Sequence, residues 1–273
     1  MTVAALTRWL AERLAPAAGE DARFEARLMA AEALDVRPNE LPGLRDEAAP
    51  AAARERAEEM LRRRLLGEPL QYILGEWEFM GLPFLVGPEA LIPRPDTEIL
   101  CERALLLAKA RGYRTALDLC CGTGCIGVSL ARRGGLAVTC ADLSAGCAAL
   151  TRRNAEKNGV ALAAICCGDL FAPLQGQRFD LICCNPPYLS DGDMARLQRE
   201  LTFEPALALH GGADGLAFYR RIAAEYAAHL NPGGALLLEI GSTQAEQAQA
   251  LFRKTQLFYD YAGNPRVVLV EET

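Results

Sequence analysis

The first quarter of the chain repeats apolar residues at helical spacing. Leu6, Trp9, Leu10 and Leu14, then Phe24, Leu28 and Ala31, recur every three or four residues, and 51–66 predicts a further helix closed by Gly67. This pattern predicts a small helical domain over 1–75. Between 76 and 95 the chain alternates glycine and proline with apolar residues from Trp77 to Pro95, as a hairpin-like connector does. From Asp96 to the end of the chain, over 96–273, helix and strand patterns alternate. The expected order is helix 97–111, strand 116–119, helix 126–133, strand 136–141, helix 145–158, strands 161–167 and 179–184, helix 214–230, strand 234–240 and helix 242–254. Two further strands, 256–261 and 266–270, are joined only by Ala262-Gly263-Asn264-Pro265. That is too short for a crossover helix, so they must pair antiparallel. The fold class is therefore α/β, a mostly parallel sheet with one antiparallel strand, preceded by the helical domain.

Candidate chemistry gathers at two strand ends. The run Phe179-Asp180-Leu181-Ile182-Cys183-Cys184 leads into Asn185-Pro186-Pro187-Tyr188. Two successive prolines donate no hydrogen bonds and hold the backbone extended, which leaves the carbonyls of Asn185 and Pro186 facing whatever lies beyond the strand. The Asn185 side-chain oxygen and the Pro186 carbonyl could receive both N–H bonds of a planar NH2 group, with Pro187 and the Tyr188 ring beside it. A Pro-Pro pair alone also marks a plain rigid turn. The second strand end is Leu117-Asp118-Leu119-Cys120-Cys121-Gly122-Thr123-Gly124-Cys125-Ile126-Gly127, an apolar strand running through a glycine turn into a helix. Gly122 and Gly124 let the backbone approach a ligand, and the helix N-terminus presents unpaired N–H groups. The segment matches neither the dinucleotide fingerprint nor a phosphate loop cleanly. Asp142, ending the next strand, is placed either to accept both hydroxyls of a ribose or to cap the helix that follows.

Together these segments resemble the S-adenosylmethionine-dependent methyltransferases, and among them the HemK/PrmC family, which methylates the side-chain amide of glutamine in peptide chain release factors. The resemblance covers nearly the whole chain: Gly67-Glu68-Pro69-Leu70-Gln71-Tyr72-Ile73-Leu74-Gly75, Leu91-Ile92-Pro93-Arg94-Pro95-Asp96-Thr97-Glu98, the glycine turn, Asn185-Pro186-Pro187-Tyr188, Glu204-Pro205 and Gly211-Gly212-Ala213-Asp214-Gly215-Leu216. It implies a Rossmann-like class I methyltransferase sheet, in which the first strand lies beside the fourth and the ligand binds beyond their carboxyl ends. It also implies S-adenosylmethionine held by Cys120, Cys121, Gly122, Thr123, Gly124, Asp142, Leu170 and Asn185. Asn185, Pro186 and Tyr188 become the catalytic group, and Asn185, Pro186, Pro187 and Tyr188 the substrate site. The implied substrate is the glutamine of the Gly-Gly-Gln loop in class I release factors, with domain 1–75 as its docking module. The chain departs from the family in carrying Cys120 where many members have glycine, Asp96 where glutamate is commoner, and Leu170 where an aromatic often meets adenine.

Composition narrows the alternatives. At 273 residues and 51% hydrophobic, the chain can bury a sizeable core, and no apolar run reaches the roughly 18 residues of a membrane helix. Met1 to Leu14 lacks a signal-peptide cleavage site, so a cytoplasmic protein is expected. A net charge of −6 argues against broad electrostatic binding of nucleic acid. Arg62-Arg63-Arg64 follows Glu55, Glu58 and Glu59 and reads as a solvated, partly self-paired face. The ten cysteines fall largely on apolar strands, where a thiol acts as a small hydrophobe; with two histidines and no Cys-x-x-Cys pair, no metal site is expected. Glu239, at a strand end, reads as a structural pairing group. A monomer is expected, and the competing functions are methylation of an amino group on an RNA or DNA base and a non-enzymatic cofactor-binding partner of the termination machinery.

Overall fold

A computed structural model describes residues 1–271. The chain divides into two compact units, one of Met1–Gly75 together with Arg199–Phe203, the other of the remaining described residues.

The first unit is helical: α1 Val3–Ala18, α2 Ala22–Leu34, α3 Leu41–Leu44, α4 Ala51–Leu65 and α5 Leu70–Leu74. The Thr2 hydroxyl accepts the Ala5 N–H at 3.2 Å and opens α1, whose Leu6, Leu10 and Leu14 are buried. On α2 the expected apolar stripe is corrected. The buried face consists of Ala22, Glu25, Ala26, Met29, Ala30, Ala31 and Ala33, while Phe24 is 54% exposed. Small side chains let helices approach closely, so alanine outcompetes the larger phenylalanine for the packed face. The arginine run is corrected as well. Arg62 is exposed and pairs with Glu59, and Arg63 pairs with Glu68, but Arg64 is buried and grips Glu25 through two bonds of 2.8 and 2.9 Å and Glu200 at 2.7 Å. It follows Ala53, Ala57, Met60 and Leu61 along one helical stripe, which carries it inward.

The second unit begins with an antiparallel hairpin, β1 Glu76–Phe79 and β2 Leu82–Leu85, turned by Met80 and Gly81 at φ 52° and 67°. There follow α6 Pro95–Arg111, β3 Thr115–Leu119, α7 Cys125–Gly134, β4 Ala137–Asp142, α8 Ala145–Lys157, β5 Ala164–Cys167 and β6 Phe179–Cys184. The short helices α9 Asp191–Met194 and α10 Ala206–Leu209 lead to α11 Ala217–Glu225, β7 Leu230–Glu239, α12 Ala245–Gln249, β8 Thr255–Tyr259 and β9 Pro265–Glu271. The sheet order is β5-β4-β3-β6-β7-β9-β8. Its strands run parallel except β9, which is antiparallel to both β7 and β8, as the short Ala262–Pro265 link requires.

Several elements differ in extent from the pattern. The strand expected over 161–167 shortens to β5, and the helix expected over 242–254 shortens to α12. The helix expected over 214–230 becomes α11 and a 3-10 turn at Tyr226–His229, because Leu230 already belongs to β7. Strand side chains alternate between two cores: Ala116, Leu181 and Cys183 face one, Leu117, Ile182 and Cys184 the other. Cys140, Cys183 and Cys184 are fully buried, and burial pushes the Cys183 and Cys184 thiols far above their ordinary range, so they serve as apolar filling.

The two kinds of arginine in α4 should separate cleanly on mutation. Arg64→Ala leaves Glu25 buried without its partner and is expected to destabilise the protein by roughly 3–5 kcal/mol, whereas Arg62→Ala removes an exposed pair and should leave stability nearly unchanged. Denaturant titration of both variants checks the ordering.

Candidate active site

The turn after β3 is built on backbone conformations that favour glycine. Cys120, Gly122 and Gly124 have φ of 60°, 54° and 77°, and Gly124 caps α7. Asp118 holds the far side of this turn. It is fully buried in β3, and its Oδ2 accepts the Gly127 N–H at 2.8 Å. A Cβ on Gly127 would stand 2.5 Å from Cys140 Sγ and 3.0 Å from Asp118 Oδ2, so only glycine lets α7 approach the sheet this closely. Burial pushes the Asp118 carboxyl up to about 7, opposed by the Gly127 N–H.

Helix α8 braces the turn from the other side. Thr151 Oγ1 donates to the Gly122 carbonyl at 3.1 Å. Asn154, fully buried, donates to the Thr123 carbonyl at 2.9 Å and to the Leu85 carbonyl at 3.0 Å, and accepts the Leu85 N–H at 2.7 Å. One side chain thus ties the glycine turn to the hairpin. Asp142, at the end of β4, accepts the Gly122 N–H through Oδ2 and the Ser144 N–H through Oδ1, both at 2.9 Å. The helix cap of α8 is Ser144, which accepts the Cys147 N–H at 3.2 Å. Sequence reasoning gave no role to Asp118, Thr151 or Asn154. The available signal is polarity out of place: an acid within an apolar strand, and two polar residues three apart on a helix face otherwise made of Cys147, Ala148, Leu150 and Ala155.

Beside the turn lies Asn185. In the β3–β6 register Leu119 stands level with Cys184, so the residues that follow them leave the sheet together. The Asn185 side-chain nitrogen donates to Thr97 Oγ1 at 3.2 Å, and the Thr97 hydroxyl donates to Glu239 Oε2 at 2.6 Å. The proline segment is clamped through its main chain: Gln244 donates to the Tyr188 carbonyl at 2.9 Å, Leu189 donates to Leu209 O at 2.9 Å, and Gly211 donates back to Leu189 O at 2.8 Å. Glu204 joins two distant segments. Its carboxylate pairs with Arg94 and accepts the Ile92 N–H at 3.0 Å, drawing 91–98 against Glu204-Pro205.

These elements enclose a cavity of about 360 Å³. Its lining includes Cys120, Cys121, Gly122, Thr123, Asp142, Asn185 and Pro187, together with the run Pro88 to Arg94 and the apolar Leu207, Ala208 and Phe218. Gly124, Leu170, Pro186 and Tyr188 are not among the lining residues, although each adjoins one in sequence or packs beside it. Leu170 is buried at φ 46°, and the Tyr188 ring packs against the sheet core, where burial pushes its hydroxyl up to about 12. A Cβ at Gly122 would meet only Ala90, at 3.8 Å, so glycine there leaves room for a ligand beside the loop. Asn185 lines the cavity with its side-chain nitrogen turned to Thr97. The site thus offers an acceptor on one strand end and a carboxylate on another.

The sheet order and the mostly parallel strands are those of a class I S-adenosylmethionine-dependent methyltransferase. The fold agrees: a methyltransferase from Pyrococcus furiosus superposes with a TM-score of 0.54 at 20% identity, covering 71% of this chain and 90% of that one. The methyltransferase small domain model matches residues 97–210, and the PrmC N-terminal domain model matches 5–75. The release factor glutamine methyltransferase of Moorella thermoacetica is 40% identical over 266 residues, 94% of each chain. That of Geobacter sulfurreducens is 48% identical over 198 residues, 72% of this chain and 69% of its own. The chain belongs to the release factor glutamine methyltransferase family, and its cofactor is S-adenosylmethionine.

Cys120 adopts the left-handed conformation that glycine would take without strain. Replacing Cys120 by glycine should therefore stabilise the protein by about 1 kcal/mol, or raise its Tm by roughly 2–4 °C. Thermal unfolding of Cys120→Gly measures this, and a lowered Tm would contradict it.

Proposed function

We propose that this chain transfers the methyl group of S-adenosylmethionine to the side-chain amide nitrogen of the glutamine in the Gly-Gly-Gln loop of class I release factors, and so modulates translation termination. The observation that carries the reading is that Asn185 lines the cavity with its amide nitrogen engaged by Thr97, so that the oxygen is the end it can offer a substrate. Family membership supports the substrate. S-adenosylmethionine supplies an electrophilic methyl group on a sulfonium.

An amide nitrogen is a poor nucleophile because its lone pair is delocalised into the carbonyl. The Asn185 oxygen and the Pro186 carbonyl accept the two N–H bonds of the substrate amide, hold its plane and raise electron density at nitrogen. Tyr188 backs this segment from the core. Asp142 accepts ribose hydroxyls while its main-chain bonds to Gly122 and Ser144 keep it in place. Cys120 to Gly124 cradle the remainder of the cofactor, with Leu170 supporting them. No strong base is needed, since the proton leaves to water after transfer.

The helical unit docks the protein substrate. Its outer surface carries an apolar groove of Val3, Leu41 and Pro42 rimmed by Arg8, Arg23, Arg27 and Arg45, in a chain whose net charge is −6. The enzyme acts in the cytoplasm as a monomer without stable nucleic acid contact. Among the described residues, no helix is long and apolar enough to cross a membrane.

Labelled S-adenosylmethionine offered with release factor or with total RNA tests the substrate class. Label is expected in the release factor, and label confined to RNA would replace this reading with base methylation. Two variants should divide the site. Asn185→Ala is expected to lower single-turnover transfer by at least about 100-fold with little change in S-adenosylhomocysteine affinity. Asp142→Ala should do the reverse, weakening cofactor binding by roughly 10- to 100-fold in calorimetry.

A further inference from the structure

We infer that Thr97 and Glu239 are positioning residues that fix which end of the Asn185 amide faces the substrate. The inference rests on the amide-methylating role proposed for Asn185 and adds what makes that role possible. The two ends of a primary amide have nearly the same shape, but one is an acceptor and the other a double donor. A site for an NH2 group works only with the oxygen inward. Turned over, Asn185 would present N–H to N–H and repel the substrate it is meant to hold.

Hydrogen-bond direction decides the matter. Glu239 ends β7 and is 1% exposed, and Thr97 lies in the first turn of α6 and is 3% exposed. An ionised carboxylate can only accept. The Thr97 hydroxyl has a single proton, which it gives to Glu239 Oε2 at 2.6 Å, so toward Asn185 it can only accept. The sole donor on the Asn185 side chain is its NH2, found 3.2 Å from Thr97 Oγ1. Three elements remote in sequence therefore share one direction of donation: Asn185 donates to Thr97, Thr97 donates to Glu239, and Glu239 also draws on the Asn185 amide directly. That direction is set by the charge on buried Glu239.

This chain has a dependence on pH whose sign follows from its geometry. Glu239 is faced by Asp96 and Thr97 from α6, by Arg266 from β9, and by Asn185 and Tyr188 from the segment after β6, while the Tyr219 hydroxyl of α11 donates to its main-chain carbonyl at 3.2 Å. Arg266 also reaches Asp96 at 3.1 Å and Asp260 at 3.2 Å, so its charge is shared among three acids. Burial pushes the Glu239 carboxyl up to about 7, with Thr97, Arg266 and Asn185 pulling it down and Asp96 pushing it further up. Once protonated, Glu239 can itself donate to Thr97, whose proton is then free to turn to the amide oxygen and so to hold Asn185 in the reversed orientation. Transfer should accordingly rise with pH as Glu239 ionises near neutrality.

Single-turnover methyl transfer into release factor at saturating cofactor, with S-adenosylhomocysteine affinity measured alongside, tests the assignment on full-length Thr97→Val, Thr97→Ser and Glu239→Gln. Thr97→Val keeps the shape and removes the hydroxyl, leaving Asn185 only its direct contact with Glu239. It is expected to slow transfer by at least about 10-fold with cofactor affinity within about 2-fold of the parent, and Thr97→Ser is expected to recover most of that loss. In Glu239→Gln the rise of rate near pH 7 should vanish. Parental rates in Thr97→Val, equal losses in the valine and serine variants, or an unchanged pH rise in Glu239→Gln would each overturn the inference. Should Thr97→Val fold poorly, the pH profile of Glu239→Gln decides alone. Asn185→Ala in the same assay separates the two levels: loss there with none in Thr97→Val refutes only the positioning by Thr97 and Glu239, while no loss in Asn185→Ala removes the role on which it rests.

Discussion

The open end of the sheet depends on one pairing, that of β3 with β6. Both strands are interior and buried, and their parallel ladder sets Leu119 level with Cys184. In a parallel sheet each chain must leave by a loop at its carboxyl end, and at this point neighbouring strands lead their connections away in opposite directions. A gap therefore opens beyond Leu119 and Cys184, floored by sheet and walled by loops. Shifting the register by one residue would exchange the two faces of either strand and turn Asn185 away from the glycine turn.

Around that gap the protein uses carboxylates as fasteners for backbone. Asp118 holds Gly127, Asp142 holds Gly122 and Ser144, and Glu204 holds Ile92 along with the Arg94 guanidinium. Main-chain N–H groups leaving a strand have lost their ladder partners, and a carboxylate oxygen is the strongest small acceptor a side chain can offer. Where the carboxylate is fully buried, as in Asp118 and Glu239, the cost shows as an affinity for protons far above the ordinary range. The site thus concentrates titratable groups that are poised near neutrality, although the chemistry proposed for it requires none of them as a base.

What the sequence reveals and what it conceals divide along a physical line. The strands 116–119 and 179–184 are legible because both faces of each are buried, giving continuous apolar runs, and the reversed strand β9 is legible because the Ala262–Pro265 link permits nothing else. The neighbourhood of the glycine turn and Asn185 follows once the first strand is set beside the fourth. Thr97, Thr151 and Asn154 are not legible, since each is an ordinary polar residue in a helix until a distant segment is brought against it, and Glu239 is legible only as a strand-end carboxylate with a pairing role, its partner Thr97 coming from a remote helix. Phe24 and Arg64 mislead for a related reason: which face of a helix is buried depends on what its neighbour can accommodate, and an alanine face or a buried acid such as Glu25 alters the choice.

The glycines at 211 and 215 give the Gly211-Gly212-Ala213-Asp214-Gly215 run a different meaning from the one a motif invites. A Cβ on Gly211 would lie 2.7 Å from the Tyr188 Cα and 2.8 Å from the Pro187 carbonyl oxygen, and a Cβ on Gly215 would fall 2.5 Å from Gln244 Nε2 and closer still to the Tyr188 carbonyl oxygen. Neither glycine lines the cavity. They are a shadow cast by the proline segment, marking where another stretch of backbone must pass. The proline segment and the glycine run therefore constrain each other as one backbone crossing, so that any side chain added at 211 or 215 would push Pro187 and Tyr188, and with them the end of β6, out of place.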